Sequence, residues 1–117
     1  MTTPAEELRT AAQKLRSLTM PVAEQHPGPW DVHNPNGYPQ AVFSPAADVI
    51  LCETLDEIDA PKPTAPYIAV MHPGVGAALV DLLEARAWIA ENDPGAFGTV
   101  TDTAALAVAR AINGGTV

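Results

Sequence analysis

His72-Pro73-Gly74 stands at the centre of the most organised stretch of this chain, YIAVMHPGVGAALVDLL from Tyr67 to Leu83. A histidine ahead of a glycine-led apolar run suggests an anion cradle, in which the backbone N–H groups of Gly74 and Gly76 would face a phosphate. Such a cradle follows a strand and has Lys or Arg close by. Here the preceding segment reads as helix, and no basic residue lies between Lys62 and Arg86. The triplet is therefore read first as a joint between two helices. Its functional alternative is a ligand site of His72, Gly74, Gly76 and Arg86, with Trp30 and Tyr38 as flat surfaces on which a base would stack.

The remaining reactive groups are sparse. His26, His33 and His72 could gather around a metal with Asp31 or Asp48, but none has another His, Cys or acid three or four residues away. No metal site is assigned. Ser17 and Ser44 are the only serines, and neither sits in a nucleophile elbow. A Ser44–His33–Asp31 grouping across neighbouring strands is conceivable, yet a surface hairpin offers no oxyanion hole. Cys52, the single cysteine, lies in the apolar run VILCET, where a thiol behaves as a small hydrophobe. No catalytic residue and no cofactor is expected, and the sparse reactive groups lean against enzyme activity.

The elements that must hold these groups follow from punctuation and periodicity. Thr3, Pro4 and Glu6 make a capping box, and Leu8, Ala12, Leu15 and Leu18 fall on one face, predicting a helix that Met20-Pro21 stops. HPGPW (His26 to Trp30) redirects the chain. WDVH alternates, with Trp30 and Val32 to one side and Asp31 and His33 to the other. Asn36-Gly37 signals a hairpin turn, YPQAVFS returns, Pro45 to Asp48 turns again, and DVILCETL is the strongest strand. Asp56 to Pro66 shifts to acid and proline and reads as a connector. A short helix from Pro66 to Met71 and a long one from Pro73 follow. In the long helix Val75, Ala78, Leu79, Leu82, Leu83 and Ile89 recur at helical spacing, and ENDPG ends it. A last helix is expected from about Asp102 to Ile112, with Thr101 as its cap. The predicted fold is α+β: a small three-stranded antiparallel meander with an N-terminal helix and two to three C-terminal helices packed on one face. The organisation is a single domain over 1–117, divided into helix (1–20), meander (28–55), connector (56–66) and helical part (67–113).

Composition narrows the partners. The chain has 117 residues, and 21 of its apolar residues are alanine, leaving a modest core of the kind a second subunit completes. A homo-oligomer, most simply a dimer, is expected. Six basic against fourteen acidic residues give a net charge of −8, and the basic residues are scattered. Direct nucleic-acid binding and phosphate recognition are disfavoured. The start, MTTPAEELRTAAQ, is polar and acidic rather than a cationic leader, and no apolar run approaches the ~20 residues that span a bilayer. A cytoplasmic protein without membrane contact is expected.

Two motifs in order carry a resemblance. HPGPW at His26 to Trp30, leading into a hairpin, and APYIAVMHPGVGAALVDLLEA at Ala65 to Ala85 resemble a pattern of small phage and prophage proteins. In these a PGPW segment and a few strands precede an IAxxxP opening of an LLxxLE helix. The Ead-like early proteins of tailed phages and related actinobacterial and actinophage proteins share it. The resemblance spans roughly Pro27 to Ala85. This chain departs from it in His26 and in the proline-rich lead-in at Pro61 to Pro66. It implies an accessory phage protein outside the virion, acting on host physiology or defence. Taken with the modest core and the lack of a catalytic constellation, the motif pair leads to the expectation of non-enzymatic binding of a host protein. The alternative is a protein that sequesters or hydrolyses a small nucleotide signal.

Overall fold

The structure is a computed structural model and describes residues 2–34, 39–54 and 63–114. It contains four α-helices and one three-stranded sheet among these residues: α1 (Pro4–Gln25), β1 (Asp31–His33), β2 (Gln40–Ser44), β3 (Val49–Thr54), α2 (Thr64–Val70), α3 (Pro73–Asn92) and α4 (Val100–Ile112), with a single 3-10 turn at Pro94–Ala96. The class is α+β, as the patterning predicts. The chain divides into two compact units, one of Met1–Leu18 with Ala77–Val117 and the other of Thr19–Gly76. The boundaries fall inside α1 and α3, so each unit is described by itself.

The first unit is helical. Thr3 Oγ1 accepts the Glu6 N–H at 3.1 Å, the cap that Thr3, Pro4 and Glu6 predict for α1. Its core joins Leu8, Ala11 and Ala12 of α1, Val80, Leu83 and Ala87 of α3, and Ala105 and Ala109 of α4. Most of these are alanines, whose small side chains let the helices approach closely. Leu15, Phe97, Leu106, Val108 and Ile112 close the margins. The buried stripe on α3 is rotated from the predicted one: Ala78 and Leu82 are exposed, and Val80 and Ala87 take their places. This part of α3 is apolar nearly all round, so periodicity alone could not choose the inner face. Leu18 is likewise exposed rather than buried. Ion pairs join the helices, with Arg9 to Glu91, Arg16 to Glu84, Arg86 to Asp102 and Arg110 to Glu7.

The second unit is the meander with one helix on it. The sheet order is β1-β2-β3, all antiparallel. Opposing Cα partners are Asp31 with Phe43 and His33 with Ala41 on one side, and Val42 with Cys52 and Phe43 with Ile50 on the other. That register leaves Leu51 unopposed as a bulge. Pro45 to Asp48 turns between β2 and β3, with Asp48 at φ 55, a left-handed position that Asp tolerates. The core comprises Val42 of β2 with Ala65 and Ala69 of α2, flanked by Trp30, Val32, Leu51, Cys52 and Ile68. Trp30 and Val32 therefore share a face, as their alternation predicts. The Asn36-Gly37 turn and most of the 56–66 connector lie outside the described residues.

Three boundaries differ from the sequence reading. α1 runs through Pro21 to Gln25, because proline's fixed φ is helical and its clash and missing N–H fall on the turn before it. The stop comes at His26-Pro27 instead. α2 starts at Thr64 rather than Pro66. α4 starts at Val100, because the cap is Thr99, not Thr101. No single helix among the described residues is long and apolar enough to cross a membrane.

Candidate functional site

The joint at His72 has a defined geometry. His72 precedes the first residue of α3, and its Nδ1 accepts the Gly74 N–H at 3.1 Å, satisfying one of the donors a helix start leaves open. Accepting at Nδ1 places the ring proton of the neutral form on Nε2. A Cβ at Gly74 would lie 2.6 Å from His72 Cε1, and one at Gly28 would lie 2.5 Å from His72 Nδ1. A side chain at either position would press on that ring, which would have to shift to admit it. The two His-Pro-Gly triplets of the sequence thus meet: Gly28 of the first closes on His72 of the second. Gly76 serves a different contact, because its missing side chain makes room for Thr19, whose Oγ1 a Cβ would approach to 2.6 Å. Both glycines of Gly74-Val75-Gly76 are explained by close packing.

The first triplet is anchored by two hydrogen bonds. Trp30 Nε1 donates to the His26 carbonyl at 2.8 Å, and the buried Ser44 hydroxyl donates to the Pro27 carbonyl at 2.8 Å. Trp30 is partly buried against the sheet core, an anchor rather than an open stacking surface. Ser44 is committed to Pro27, Asp31 Oδ1 accepts the Val32 N–H at 2.9 Å, and the His33 ring stands edge-on to Phe43 at 6.1 Å. The Ser44–His33–Asp31 grouping is therefore not assembled. Tyr38 lies outside the described residues.

Arg86 belongs to the helical unit, whereas His72, Gly74, Gly76 and Trp30 belong to the other. Its Nε lies 2.7 Å from Asp102 Oδ1, and Asp102 is fully buried. The other carboxylate oxygen accepts the Gly98 N–H at 2.9 Å, the Thr99 N–H at 3.1 Å and the Thr99 hydroxyl at 3.0 Å. The Thr99 hydroxyl oxygen in turn accepts the Asp102 N–H, completing a capping box for α4. Burial by itself raises the Asp102 pKa, but the bonds from Gly98 and Thr99 and the Arg86 charge together outweigh it and hold the carboxyl below its ordinary range. The charge of Arg86 is spent on α4.

Two depressions open on the helical unit, of about 320 and 360 Å³. The first is lined by Glu7, Thr10, Arg110 and Asn113, where Arg110 Nε already donates to Glu7 at 2.8 Å. The second lies beside Pro4, Glu91 and Phe97. Among the described residues no three His, Cys, Asp or Glu side chains stand together as metal ligands.

The exposed apolar residues are the feature that sequence reasoning missed. On α2 and its cap, Tyr67 is 68% exposed and Val70 66%, with Pro66 and Met71 also in solvent. Pro66 with Val70 and Tyr67 with Met71 are four apart, so the quartet forms one face, while Ala65 and Ala69 on the other side are buried in the sheet core. α2 contains no charged residue. The signal was legible: the fully buried positions of TAPYIAV are alanines, and of its large side chains only Ile68 reaches the core. On the helical unit Trp88 is 60% exposed, in line with Ala85 and Leu82 along the outer side of α3. Compared with known proteins, the chain matches no family model, no curated protein and no solved structure.

Proposed function

We propose that this chain is a phage- or prophage-encoded accessory protein that binds a bacterial host protein, without catalysis, as a homo-oligomer in the host cytoplasm. The observation that carries the binding function is the outward face of α2. Tyr67, Val70 and Met71 are held in solvent by a helix that packs through Ala65, Ala69 and Ile68, and an uncharged aromatic-and-aliphatic surface of this kind is suited to a protein partner. The motif pair HPGPW and IAVMHP supplies the phage context. The exposed Leu82 and Trp88 on α3 are the residues on which self-association would draw.

The alternative, a protein that sequesters or hydrolyses a small nucleotide signal, is less well supported. It asks Arg86 to leave a buried carboxylate and His72 Nδ1 to give up the Gly74 N–H. Capture from host extract tests the leading reading. The tagged chain is expected to retain a host protein that Tyr67→Asp loses, while the melting temperature of the variant stays at the wild-type value. Equal retention by both would overturn the assignment of this face.

A further inference from the structure

The binding function proposed above leaves open the chemistry of the partner, and this inference rests on it. The sheet of the second unit has two edges. β1 is three residues long, and Asp31 accepts the Val32 N–H, so a strand arriving there finds little backbone to pair with. β3 is different. It has six residues, contains neither Pro nor Lys, and is paired only on the β2 side among the described residues. Natural sheets blunt such edges with shortness, Pro, charged side chains or bulges, and of these β3 has only the acidic Glu53 and one bulge. β3 instead keeps Val49 and Ile50 in solvent, Ile50 at 52%. Its one irregularity is the bulge at Leu51, whose bend a flexible incoming segment can follow.

Charge selects the occupant. Residues Thr19–Gly76 contain seven acids and one lysine, a formal charge of −6, whereas the helical unit has seven acids and five basic residues. All four arginines of the helical unit are paired with acids. The second unit has no described Lys or Arg at all, and Asp48 and Glu53 are exposed at the start and near the end of β3. That field favours a cationic segment and disfavours an acidic one, a polyanion, or the same edge of a second copy.

We propose that the outer edge of β3 accepts an extended, basic segment of the partner protein as a fourth strand. Backbone pairing along Val49–Thr54 supplies the register, apolar side chains cover Val49 and Ile50, and Lys or Arg side chains lie beside Asp48 and Glu53.

The test uses the full chain and two fluorescein-labelled ten-residue peptides that carry both residue types on each face of a strand, one repeating Lys-Lys-Val-Val and the other Glu-Glu-Val-Val. The lysine peptide is expected to bind, the glutamate peptide not. Binding should weaken by about tenfold between low and physiological salt. Amide exchange should slow at β3. Ile50→Lys, a change at an exposed position whose folding is checked by thermal melting, should weaken peptide binding by about tenfold. Equal binding of both peptides, protection confined to α2, or an unaffected Ile50→Lys protein overturns the proposal. The two readings fail separately. If Ile50→Lys still retains the host protein that Tyr67→Asp loses, the edge is wrong and the binding function stands. If Tyr67→Asp changes nothing, the α2 face is wrong and the peptide titration still decides the edge.

Discussion

Gly28 and His72 lie far apart in sequence, and neither explains itself without the other. HPG can be read as a joint at both places, and both are joints: one ends α1, the other caps α3. What local sequence cannot express is that the glycine of the first triplet is a glycine because of the histidine of the second. A methyl group at Gly28 would sit 2.5 Å from the His72 ring. Gly28→Ala should therefore cost about 1–3 kcal/mol in denaturant unfolding. In a His72→Ala background the same substitution should cost much less, and the coupling in the double-mutant cycle measures the contact. Additive costs would mean the ring moves aside freely. Asp102 makes a second residue-scale case. It read as the start of a helix and proves to be its buried lock, with the folded pKa held low. Stability from such a group is present above its unfolded pKa, about 4, and is lost as pH falls through the folded value. Wild type should exceed Asp102→Asn in melting temperature at neutral pH, and the gap should close as the pH is taken below about 4. A gap that persists in acid would place the effect in packing rather than charge.

At the scale of elements, the order of helices and strands was legible because each is bounded by strong signals. Thr3-Pro4 opens α1, Pro45 to Asp48 turns the meander, and Asn92-Asp93-Pro94 closes α3. The ends that differ do so where two rules compete. At Pro21 the proline rule predicts a stop, yet four more residues of helix follow before His26-Pro27 ends it. Pro21→Ala restores a donor for the Ser17 carbonyl, so α1 should gain stability, by up to about 3 kcal/mol on propensity. Chemical denaturation reads this directly, and a loss of stability would show that the proline bend is required. At the start of α4 two threonines compete for the cap. Thr99 wins because Asp102 is three residues on and can return the bond, whereas Thr101 has Ala104 at that spacing. Thr99→Ala should cost about 1 kcal/mol and Thr101→Ala little. The inner face of α3 was not legible, since alanine and leucine surround it and only the packed partners decide which side is inside. The outward face of α2 was legible in its alanines but asks a question local pattern does not pose: what a small helix leaves in solvent.

At the scale of the whole molecule, the −8 charge is unevenly placed, and this separates two kinds of association by their response to salt. Copies of the chain repel each other, and the repulsion is greatest where residues Thr19–Gly76 would face one another, each formally −6. The helical unit is close to charge balance, its arginines are paired, and it exposes Leu82 and Trp88 along α3. Self-association should therefore run through α3 and strengthen as salt screens the remaining repulsion, whose range shortens from about 30 Å at 0.01 M to about 8 Å at 0.15 M. Binding of a basic segment by the acidic unit should do the reverse, weakening with salt because attraction is what is screened. Sedimentation velocity across that salt range is expected to show the oligomer fraction rising, and Trp88→Glu to abolish it without changing peptide affinity. An oligomer that dissolves as salt is added, or that survives Trp88→Glu, would move the subunit contact off α3. Opposite salt responses from one small chain would mean that its two units carry two separate surfaces, one for its own copy and one for a partner of opposite charge.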